Sequence, residues 1–568
     1  MASPVRQWVL VILLVGATTA GYAAPRQRFV TAPDSQSYRV WPSRPPEDCP
    51  FEASNAIRGV AFTGRYSNYM SADTWYPTWA GNGSYYSPWT DGSLGEDHCF
   101  SGGGEKAHTG QAKIVGDDPM NLEITSLGTL RASALPYGGR YPCGSLVHDG
   151  VWYYGTYGLM NADYGLNWPI LGPCAGFHVS SDYGETWTKS PHSCKPGDAL
   201  FPELGRLGGP VELGAPHFVD FGKNMKHSPD GKAYLVGHGG TEPDEEDRQA
   251  NLSWITGDQI YMCRVKPSPE SINDESAHEY FAGHDAVGQP TWSDDFQNIK
   301  PLIEWDNNCG CVTATYNPAL DRYLMCITAG WPTIKTMDTY ILESERLTGP
   351  WRLVTYMEDL GEQAYFVNFP SPFIGRDGRT AWLCYAANFT DQEHNKWPAR
   401  PPGSAYAMSL HEVRLLGSNE KVSTGPLDSP QNVARQARIT VSSTHEDYHA
   451  FGAVDGRVGG YPGDIAAEWA SAGETNTAVL RMTWPKPIEI DRVWLFDRPN
   501  ELDQVTSGML IFSDGSTVKT KKLPDRAKQG VEVEFSPRKV RWVTFCISDV
   551  KADTENIGLS EVAVFKSK

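Results

Sequence analysis

Two aspartates flank a predicted β-hairpin and carry the side chains best placed to do chemistry. The three-residue turn Gly81-Asn82-Gly83 predicts an antiparallel register in which Asp73 lies directly opposite Asp91. Opposed residues have Cβ atoms about 4.5 to 5.5 Å apart, so two carboxylates at these positions would repel each other. The repulsion raises one pKa and leaves one ionised group and one protonated acid at neutral pH. Such a pair suits glycoside hydrolysis, and a short separation suits the retaining geometry.

The same register pairs Trp75 with Trp89, and two flat indoles beside the acids would form a surface on which a sugar ring can stack. A purely structural interpretation competes with this one. Asp-Gly after a strand is a common turn, and Asp73 could simply hydrogen-bond the backbone. A change of one residue in the turn would also remove the facing arrangement.

A second group of titratable side chains follows further along the chain. A turn at 228–231 would fold Glu242 back towards His217, where a His–Glu contact could bind substrate, transfer a proton or order a metal ion. Asp220 lies in the same stretch and is predicted to bind substrate. A single histidine on a strand is more often structural, and that alternative stays open for His217.

The pattern of short strands explains how these residues would be positioned. Runs rich in Val, Tyr, Trp and Thr, separated by Gly, Asn-Gly, Asp-Gly and Pro, predict an all-β region over 57–416. The runs form five groups of about four strands and about 60 to 95 residues each, which predicts a five-bladed β-propeller with one axial cavity. A seven-bladed propeller would need about 50 residues per blade and does not match.

The start of each innermost strand of a propeller lies at the mouth of the axial cavity. The residues predicted at these positions are Asp73, Gly144, His217, Thr313 and Asn368. Only the first blade presents an acid there, and Asn368 is a further substrate-binding candidate.

The net charge, the N-terminal segment and the sequons indicate which partners and which location to expect. The chain has 568 residues and a net charge of -19, which disfavours nucleic acid and anionic membranes as partners. Residues 1–24 carry Arg6 and a short apolar run, the order of a secretory signal peptide, so a secreted, extracellular protein without membrane insertion is expected. Sequons at Asn82, Asn251 and Asn388 fit a glycoprotein.

Eleven cysteines in an exported chain favour disulfides over metal sites. Cys174 and Cys194 flank a predicted hairpin and form the best local pair. The connectivity of the other cysteines stays open.

A shift in composition predicts where the chain divides. Residues 25–56 are interpreted as an N-terminal segment, 417–435 as a linker and 436–568 as a separate jelly-roll β-sandwich. The sandwich resembles discoidin-type (coagulation factor type C-like) domains through Ala453-Val-Asp-Gly456, Glu468-Trp-Ala-Ser471, Asp497-Arg-Pro-Asn500 and Asn556-Ile-Gly-Leu-Ser-Glu561. That resemblance implies binding of carbohydrate or cell surfaces, often with a structural calcium ion.

Residues 57–416 resemble the five-bladed propeller glycoside hydrolases related to arabinan-degrading enzymes. The resemblance is carried by Asp73-Thr-Trp, Ser87-Pro-Trp-Thr-Asp-Gly92, Tyr316-Asn-Pro-Ala-Leu-Asp-Arg-Tyr323 and Gly349-Pro-Trp351. It implies catalytic carboxylates around the axial cavity, and Asp73 and Asp91 are the acids that match. The second blade lacks the acid usual in that family. The segment Ser180-Ser-Asp-Tyr-Gly-Glu-Thr-Trp187 also fits the Asp-box turn of sialidase-like propellers.

Together these features predict a secreted, monomeric glycoside hydrolase that acts on a polysaccharide or oligosaccharide and needs no cofactor for its chemistry. Asp73, Asp91, His217 and Glu242 are its catalytic candidates, and Trp75, Trp89, Asp220 and Asn368 its substrate-binding candidates. Two alternatives remain. One is a non-catalytic lectin or adhesin, and the other is a polysaccharide lyase with a histidine base such as His217.

Overall fold

The computed structural model describes residues 24–32, 39–41, 43–161, 168, 170–205, 210–240, 252–330, 336–388, 401, 403–417, 426–429, 431–446, 448, 450–454, 456, 458 and 468–567. Described residues within 40–420 form one compact unit, and those before 40 and after 420 form the other. In these ranges the regular structure is β-strand, and the only helical turns are short 3-10 segments, which confirms the all-β prediction. The 3-10 segments are Gly104–Lys106, Lys223–Met225, Glu275–Ala277, Phe296–Asn298, Ser371–Phe373, Pro426–Asp428, Ala434–Gln436 and Ala450–Val454.

The larger unit is a five-bladed β-propeller, as predicted. Blade one consists of the strands Thr78–Trp79, Tyr85–Trp89, His108–Val115 and Glu123–Arg131, and blade two of Gly139–His148, Val151–Met160 and Ile170–Ser180. Blade three consists of Gly214–Phe218, Ala233–Gly239, Gln259–Val265, His278–His284, Pro290–Ser293 and Ile303–Glu304. Blade four consists of Val312–Asn317, Arg322–Ala329, Asp338–Ser344 and Arg352–Met357, and blade five of Tyr365–Asn368, Thr380–Ala386, Met408–Leu415, Val60–Tyr69 and Arg39–Val40. Two small hairpins, Gly92–Leu94 with Asp97–Cys99 and Leu252–Ser253 with Thr256–Gly257, accompany them.

Contacts between neighbouring inner strands close the ring of blades. Hydrogen bonds join the Val147 amide to Thr78 Oγ1 at 3.1 Å, the Asp220 amide to the Ala314 carbonyl at 2.9 Å, Thr313 Oγ1 to the Val367 carbonyl at 2.6 Å and Asn368 Nδ2 to the Trp75 carbonyl at 3.1 Å. Blades two and three meet at Gly144, where a Cβ atom would lie 2.9 Å from the Pro216 carbonyl oxygen. Each blade therefore contacts the next, and the fifth contacts the first.

Two blades differ from the predicted strand groups. Blade five is completed by Val60–Tyr69, which pairs antiparallel with Met408–Leu415, so strands from the two ends of the propeller sequence share one sheet. This pairing links sequence segments about 350 residues apart, and local patterns do not reveal it. Blade two has three strands, and beyond them only an isolated bridge joins Val179 to Thr188 across the Asp-box turn.

The smaller unit is built on one large curved sheet. Its strands are Arg26–Thr31, Arg438–Val441, Val479–Phe496, Val505–Phe512, Thr517–Thr520, Gln529–Val550 and Glu561–Lys566, and a two-stranded sheet pairs Trp469–Ala470 with Gly558–Leu559. Register shifts within Val479–Phe496 let both halves of that strand contribute to one apolar core. Arg26–Thr31 pairs with Gln529–Glu534, so this part of the predicted N-terminal segment belongs to the C-terminal sheet.

Three further expectations concern the cysteines, the sequons and the membrane. All eleven cysteines lie in the described ranges as free thiols, so the predicted Cys174–Cys194 disulfide is not formed in this structure. Asn82 is exposed, Asn388 is buried and Asn251 lies outside the described residues. In the described chain no helix is long and apolar enough to cross a membrane.

Candidate active site

The predicted hairpin register holds near the turn and shifts at the aspartates. Thr78 faces Tyr86 and Trp79 faces Tyr85, as predicted. Asp73, however, pairs with Thr90 through two backbone hydrogen bonds of 2.9 and 3.0 Å, so Asp91 lies one residue beyond the facing position. Thr74 has a φ of 66°, which is not extended backbone, and the ladder is interrupted there. The prediction that the two acids face each other directly is therefore wrong by one residue.

The Asp73 carboxylate is buried and surrounded by hydroxyl donors. Its side chain is 7% exposed. Tyr365 and Tyr406 donate to Oδ2 at 2.6 and 2.9 Å, and Thr74 Oγ1 donates to Oδ1 at 2.9 Å. Blade five thus supplies one donor from the strand Tyr365–Asn368 and a second from the segment that precedes Met408–Leu415.

Asp91 is half-buried and connected to the same hydroxyls. The backbone amide of Ser101 donates to its Oδ1 at 2.6 Å, with Thr90 Oγ1 at 3.4 Å. The Tyr406 hydroxyl, besides its contact with Asp73, lies 3.1 Å from the Asp91 carbonyl oxygen. One phenol therefore contacts both aspartates.

Burial raises the pKa of both carboxyls, and the charge of Asp91 raises that of Asp73 further. Burial is the main cause for each, and it raises the pKa of Asp91 to about 6. The pKa of Asp73 is raised to about 7 by burial and then by the charge of Asp91, against the lowering effect of the three hydroxyl donors. Near neutral pH the proton that remains on the pair therefore lies mainly on the more buried Asp73.

The backbone is strained where it positions these side chains. Thr74, Asp91 and Phe366 are non-glycine residues with φ of 66°, 47° and 50°. Asp91 is one of the two aspartates, Thr74 directly follows the other, and Phe366 directly follows Tyr365, which donates to Asp73. Such conformations cost about 1 to 3 kcal/mol each and cluster at functional sites.

Among the described residues, the other titratable groups around the pair are tyrosines and one thiol, which are neutral at physiological pH. Burial raises the pKa of Tyr141, Tyr157 and Cys99, and the charges of both aspartates raise these pKa values further. Tyr141 is half-buried and its ring lies edge-on to Trp168, with 5.6 Å between ring centroids. These two rings form the partly exposed aromatic surface beside the acids.

Trp75 and Trp89 do not form that surface. They are 1% and 0% exposed, and both pack in an apolar cluster formed by residues of blades one and five. The Trp75 indole also donates to the Ala72 carbonyl at 2.9 Å. The predicted stacking role is therefore wrong for this pair, because fully buried indoles have no free face for a sugar.

His217 lies on the propeller axis but not against the acids. It is buried, its ring lies 4.3 Å from the Tyr76 ring between centroids, and neither ring nitrogen has a side-chain or water partner. Burial lowers the pKa of His217 to about 3, so the imidazole is neutral throughout the physiological range. Glu242, its predicted partner, lies outside the described residues.

Asp220 and Asn368 join blades together. The Asp220 carboxylate accepts the Gly222 amide at 2.9 Å and the Ser371 amide at 2.7 Å. Asn368 Nδ2 donates to backbone carbonyls of Trp75, Phe366 and Cys384 at 2.9 to 3.2 Å. Both residues line an axial cavity together with His217 and Thr313, and the bonds they make to the backbone are structural.

Sequence reasoning missed Tyr365 and Tyr406. Tyr365 begins the innermost strand of blade five, three residues before the predicted axial position Asn368, so a better strand boundary would have identified it. Tyr406 lies in an irregular segment between Thr380–Ala386 and Met408–Leu415, and no local pattern marks it.

The described residues offer no group of three or more His, Cys, Asp or Glu side chains that could hold a metal ion. The structural calcium ion suggested by the discoidin resemblance stays a prediction.

Comparisons with known proteins bear on parts of the chain. Residues 432–565 match a family described as "Domain of unknown function (DUF7402)". None of the curated proteins matches the chain.

Solved structures similar to the chain include the lectin domain of lectinolysin complexed with Lewis B antigen, at 21% identity and a TM-score of 0.20 over 24% of this chain and 99% of that one. A fucose binding module of Streptococcus pneumoniae has 17% identity and a TM-score of 0.21 over 24% and 98%. A mutant GH29 fucosidase of Ruminococcus gnavus in complex with fucose has 14% identity and a TM-score of 0.19 over 24% and 27%. At these scores the similarities carry no argument about the propeller or its chemistry.

Proposed function

We propose that the protein is a secreted glycoside hydrolase in which Asp73 and Asp91 act as a carboxyl pair at the propeller axis. The observation that supports this most strongly is the pair itself: two carboxyls, both with raised pKa, held on strained backbone among tyrosine hydroxyls. A protein that needed only stability would not retain two repelling acids in a buried site.

The environments of the two acids assign their roles. Asp73 is the more buried and keeps its proton to higher pH, so it protonates the leaving glycosidic oxygen. Asp91 is half-buried and ionises first, so it serves as the base that activates water or as the nucleophile. Tyr141 and Trp168 supply the aromatic surface for the sugar beside them.

The C-terminal sandwich is proposed to hold the enzyme on its polysaccharide and not to take part in the chemistry. The resemblance of residues 436–568 to discoidin-type domains, which bind carbohydrate or cell surfaces, supports this role. The lectin alternative would leave the acids as ligands for sugar hydroxyls, so it predicts binding without turnover.

A screen of the purified full-length protein on a panel of polysaccharides, read by released oligosaccharides, tests the proposal. The double variant Asp73→Asn/Asp91→Asn is the matched control, since the amides keep the shape of both side chains. We expect products with the parent protein and none with the control. Tight glycan binding without product from the parent would instead support a lectin.

A further inference from the structure

Two phenols converge on a single oxygen of the Asp73 carboxyl. Tyr365 and Tyr406 both donate to Oδ2, whereas Oδ1 accepts only the Thr74 hydroxyl among the described residues. A carboxylate oxygen has two lone pairs in the plane of the group, so two donors occupy both lone pairs of Oδ2. A proton on Asp73 therefore binds Oδ1, which retains a free lone pair.

Tyr406 can accommodate both protonation states of the pair. Its hydroxyl has one hydrogen and two acceptors in reach, Asp73 Oδ2 at 2.9 Å and the Asp91 carbonyl oxygen at 3.1 Å. When Asp73 is ionised, the hydrogen serves the carboxylate. When Asp73 is protonated, its oxygens are weaker acceptors and the hydrogen can turn to the carbonyl, so neither state leaves the phenol without an acceptor.

The titratable groups that face Asp73 come from blades one, two and five. They are Asp91 and Cys99 from the loop and hairpin after the first blade's second strand, Tyr76 before its first strand, Tyr157 and Tyr141 from blade two, and Tyr365 and Tyr406 from blade five. Burial raises the pKa of the thiol and of all five phenols, so Asp91 is the one charged neighbour in this set at neutral pH. Hydrogen bonds to Asp73 are therefore the main influence opposing its burial.

We propose that Tyr365 and Tyr406 are positioning residues that decide which oxygen of Asp73 carries the transferable proton and how readily that proton leaves. This inference rests on the proposed hydrolase function. The proton on Oδ1 passes to the leaving glycosidic oxygen, and the negative charge left on the carboxylate is stabilised by the two phenols on Oδ2. The bond from the anomeric carbon to the leaving oxygen breaks as this proton arrives, and the carbon bonds either to a water activated by Asp91 or to Asp91 itself, which water then displaces. Water is the only co-reactant, and no redox step is involved.

Removing either phenolic hydroxyl should weaken Asp73 as an acid. A carboxylate that loses one hydrogen-bond donor is less stable, so the pKa of Asp73 rises, by about one unit for one bond. The phenyl ring that remains fills the same space, so the fold should be retained.

The experiment compares Tyr365→Phe and Tyr406→Phe with the parent and with Tyr385→Phe. Tyr385 is a suitable control because it is a buried tyrosine of blade five whose hydroxyl contacts Ser404 and neither aspartate. The first readout is the carboxyl stretch of Asp73, isolated by subtracting the infrared spectrum of Asp73→Asn from that of each full-length protein at a series of pH values. The second is the pH profile of kcat/KM on a glycan that the parent cleaves.

We expect the infrared titration of Asp73 to move up by about one pH unit in Tyr365→Phe and Tyr406→Phe but not in Tyr385→Phe. The alkaline limb of the activity profile should move with it. If the titration does not move in either active-site variant, the inference is wrong, even when the parent is an active hydrolase. If the titration moves and no glycan is cleaved, the hydrolase assignment fails and only the influence of the phenols on Asp73 remains.

Discussion

At the scale of single residues, the site brings together two acids whose mutual repulsion destabilises the folded state. Asp73 and Asp91 share a buried position, and their charges oppose each other. The hydroxyls of Tyr365, Tyr406 and Thr74 reduce this cost without removing it. Both acids could be found from the sequence because the hairpin turn brings them close together, although the predicted pairing was wrong by one residue. Tyr365 needed only a more accurate start for the innermost strand of blade five, whereas Tyr406 lies in an irregular segment that reaches Asp73 only after the ring of blades has closed.

The first prediction concerns the pH dependence of activity. Hydrolysis needs Asp91 ionised and Asp73 protonated, and their pKa values lie at about 6 and about 7. We therefore expect kcat/KM to rise with pH through about 6 and to fall through about 7. Initial rates measured from pH 4 to pH 9 check this. A profile flat from pH 5 to 8 would show that the pair does not limit the reaction.

The second prediction concerns stability. Folded Asp73 holds its proton to about pH 7, whereas an unfolded aspartate releases it near pH 3.9. The folded state thus binds more protons between these values, so the free energy of unfolding falls as pH rises through this window. Asp73→Asn cannot ionise, and we expect its free energy of unfolding to exceed that of the parent by roughly 4 kcal/mol at pH 8 but to resemble it at pH 4.

Urea unfolding of the full chain at both pH values measures this difference. Asp294→Asn, an exposed aspartate, is the control and should change stability by less than about 0.5 kcal/mol at either pH. Equal stability of Asp73→Asn and the parent at pH 8 would mean that Asp73 is not under the electrostatic strain described.

At the scale of elements, the discoidin-type motifs form a buried network. Arg498 from the third motif contacts Glu468 from the second at 3.0 Å and the Asn556 carbonyl from the fourth. Glu561, also from the fourth, accepts the Gly456 amide of the first at 2.8 Å. These residues fix how loops meet at one end of the sandwich, which explains why the motifs were recognisable in the sequence. They are structural contacts and do not identify a ligand.

The third prediction tests that network. The Arg498 side chain is 5% exposed and pairs with Glu468 and Asp503, whose side chains are 0% and 8% exposed. Arg498→Met removes the cation that faces two buried carboxylates, so the sandwich should lose about 3 to 5 kcal/mol of its free energy of unfolding. Denaturant unfolding of the full chain measures this. Arg541→Met, on an exposed arginine, is the control, and a loss of similar size there would contradict the assigned role.

The register of the first hairpin shows what sequence patterns can and cannot supply. The turn fixed the pairing of Thr78 with Tyr86, and that prediction is confirmed. Further from the turn, the pairing of Asp73 is shifted by one residue next to the positive φ of Thr74, and both tryptophans are buried. A propensity for strand does not reveal such a local distortion.

At the scale of the whole molecule, strands from distant parts of the chain complete both units. Val60–Tyr69 closes blade five, and Arg26–Thr31 adds a strand to the C-terminal sheet. The five-bladed architecture was predictable because each blade repeats a local pattern. The N-terminal strands were not, because their partners lie more than 300 residues away and strand pairing at that distance leaves no local signal.

The fourth prediction follows from the N-terminal strand. Val30 packs against an apolar cluster of the sandwich that includes Trp494 and Phe496, whereas Phe29 is 67% exposed. The chain lacking residues 1–32 should therefore show a lower Tm for the C-terminal unit, and a synthetic peptide of residues 24–32 should restore it by mass action. A peptide with Val30→Asp should fail to restore the Tm, and one with Phe29→Asp should succeed. Equal restoration by both would contradict the pairing.

The most direct measurement of the central claim is the turnover of Asp73→Asn and Asp91→Asn, each assayed alone on a glycan that the parent cleaves. Both variants should keep the fold, by circular dichroism, and bind the glycan with an affinity close to that of the parent. We expect kcat to fall by roughly two to four orders of magnitude in each, since each removes one partner of general acid–base catalysis. If both variants turn over within a few-fold of the parent, the carboxyl pair is structural and the proposed mechanism is wrong.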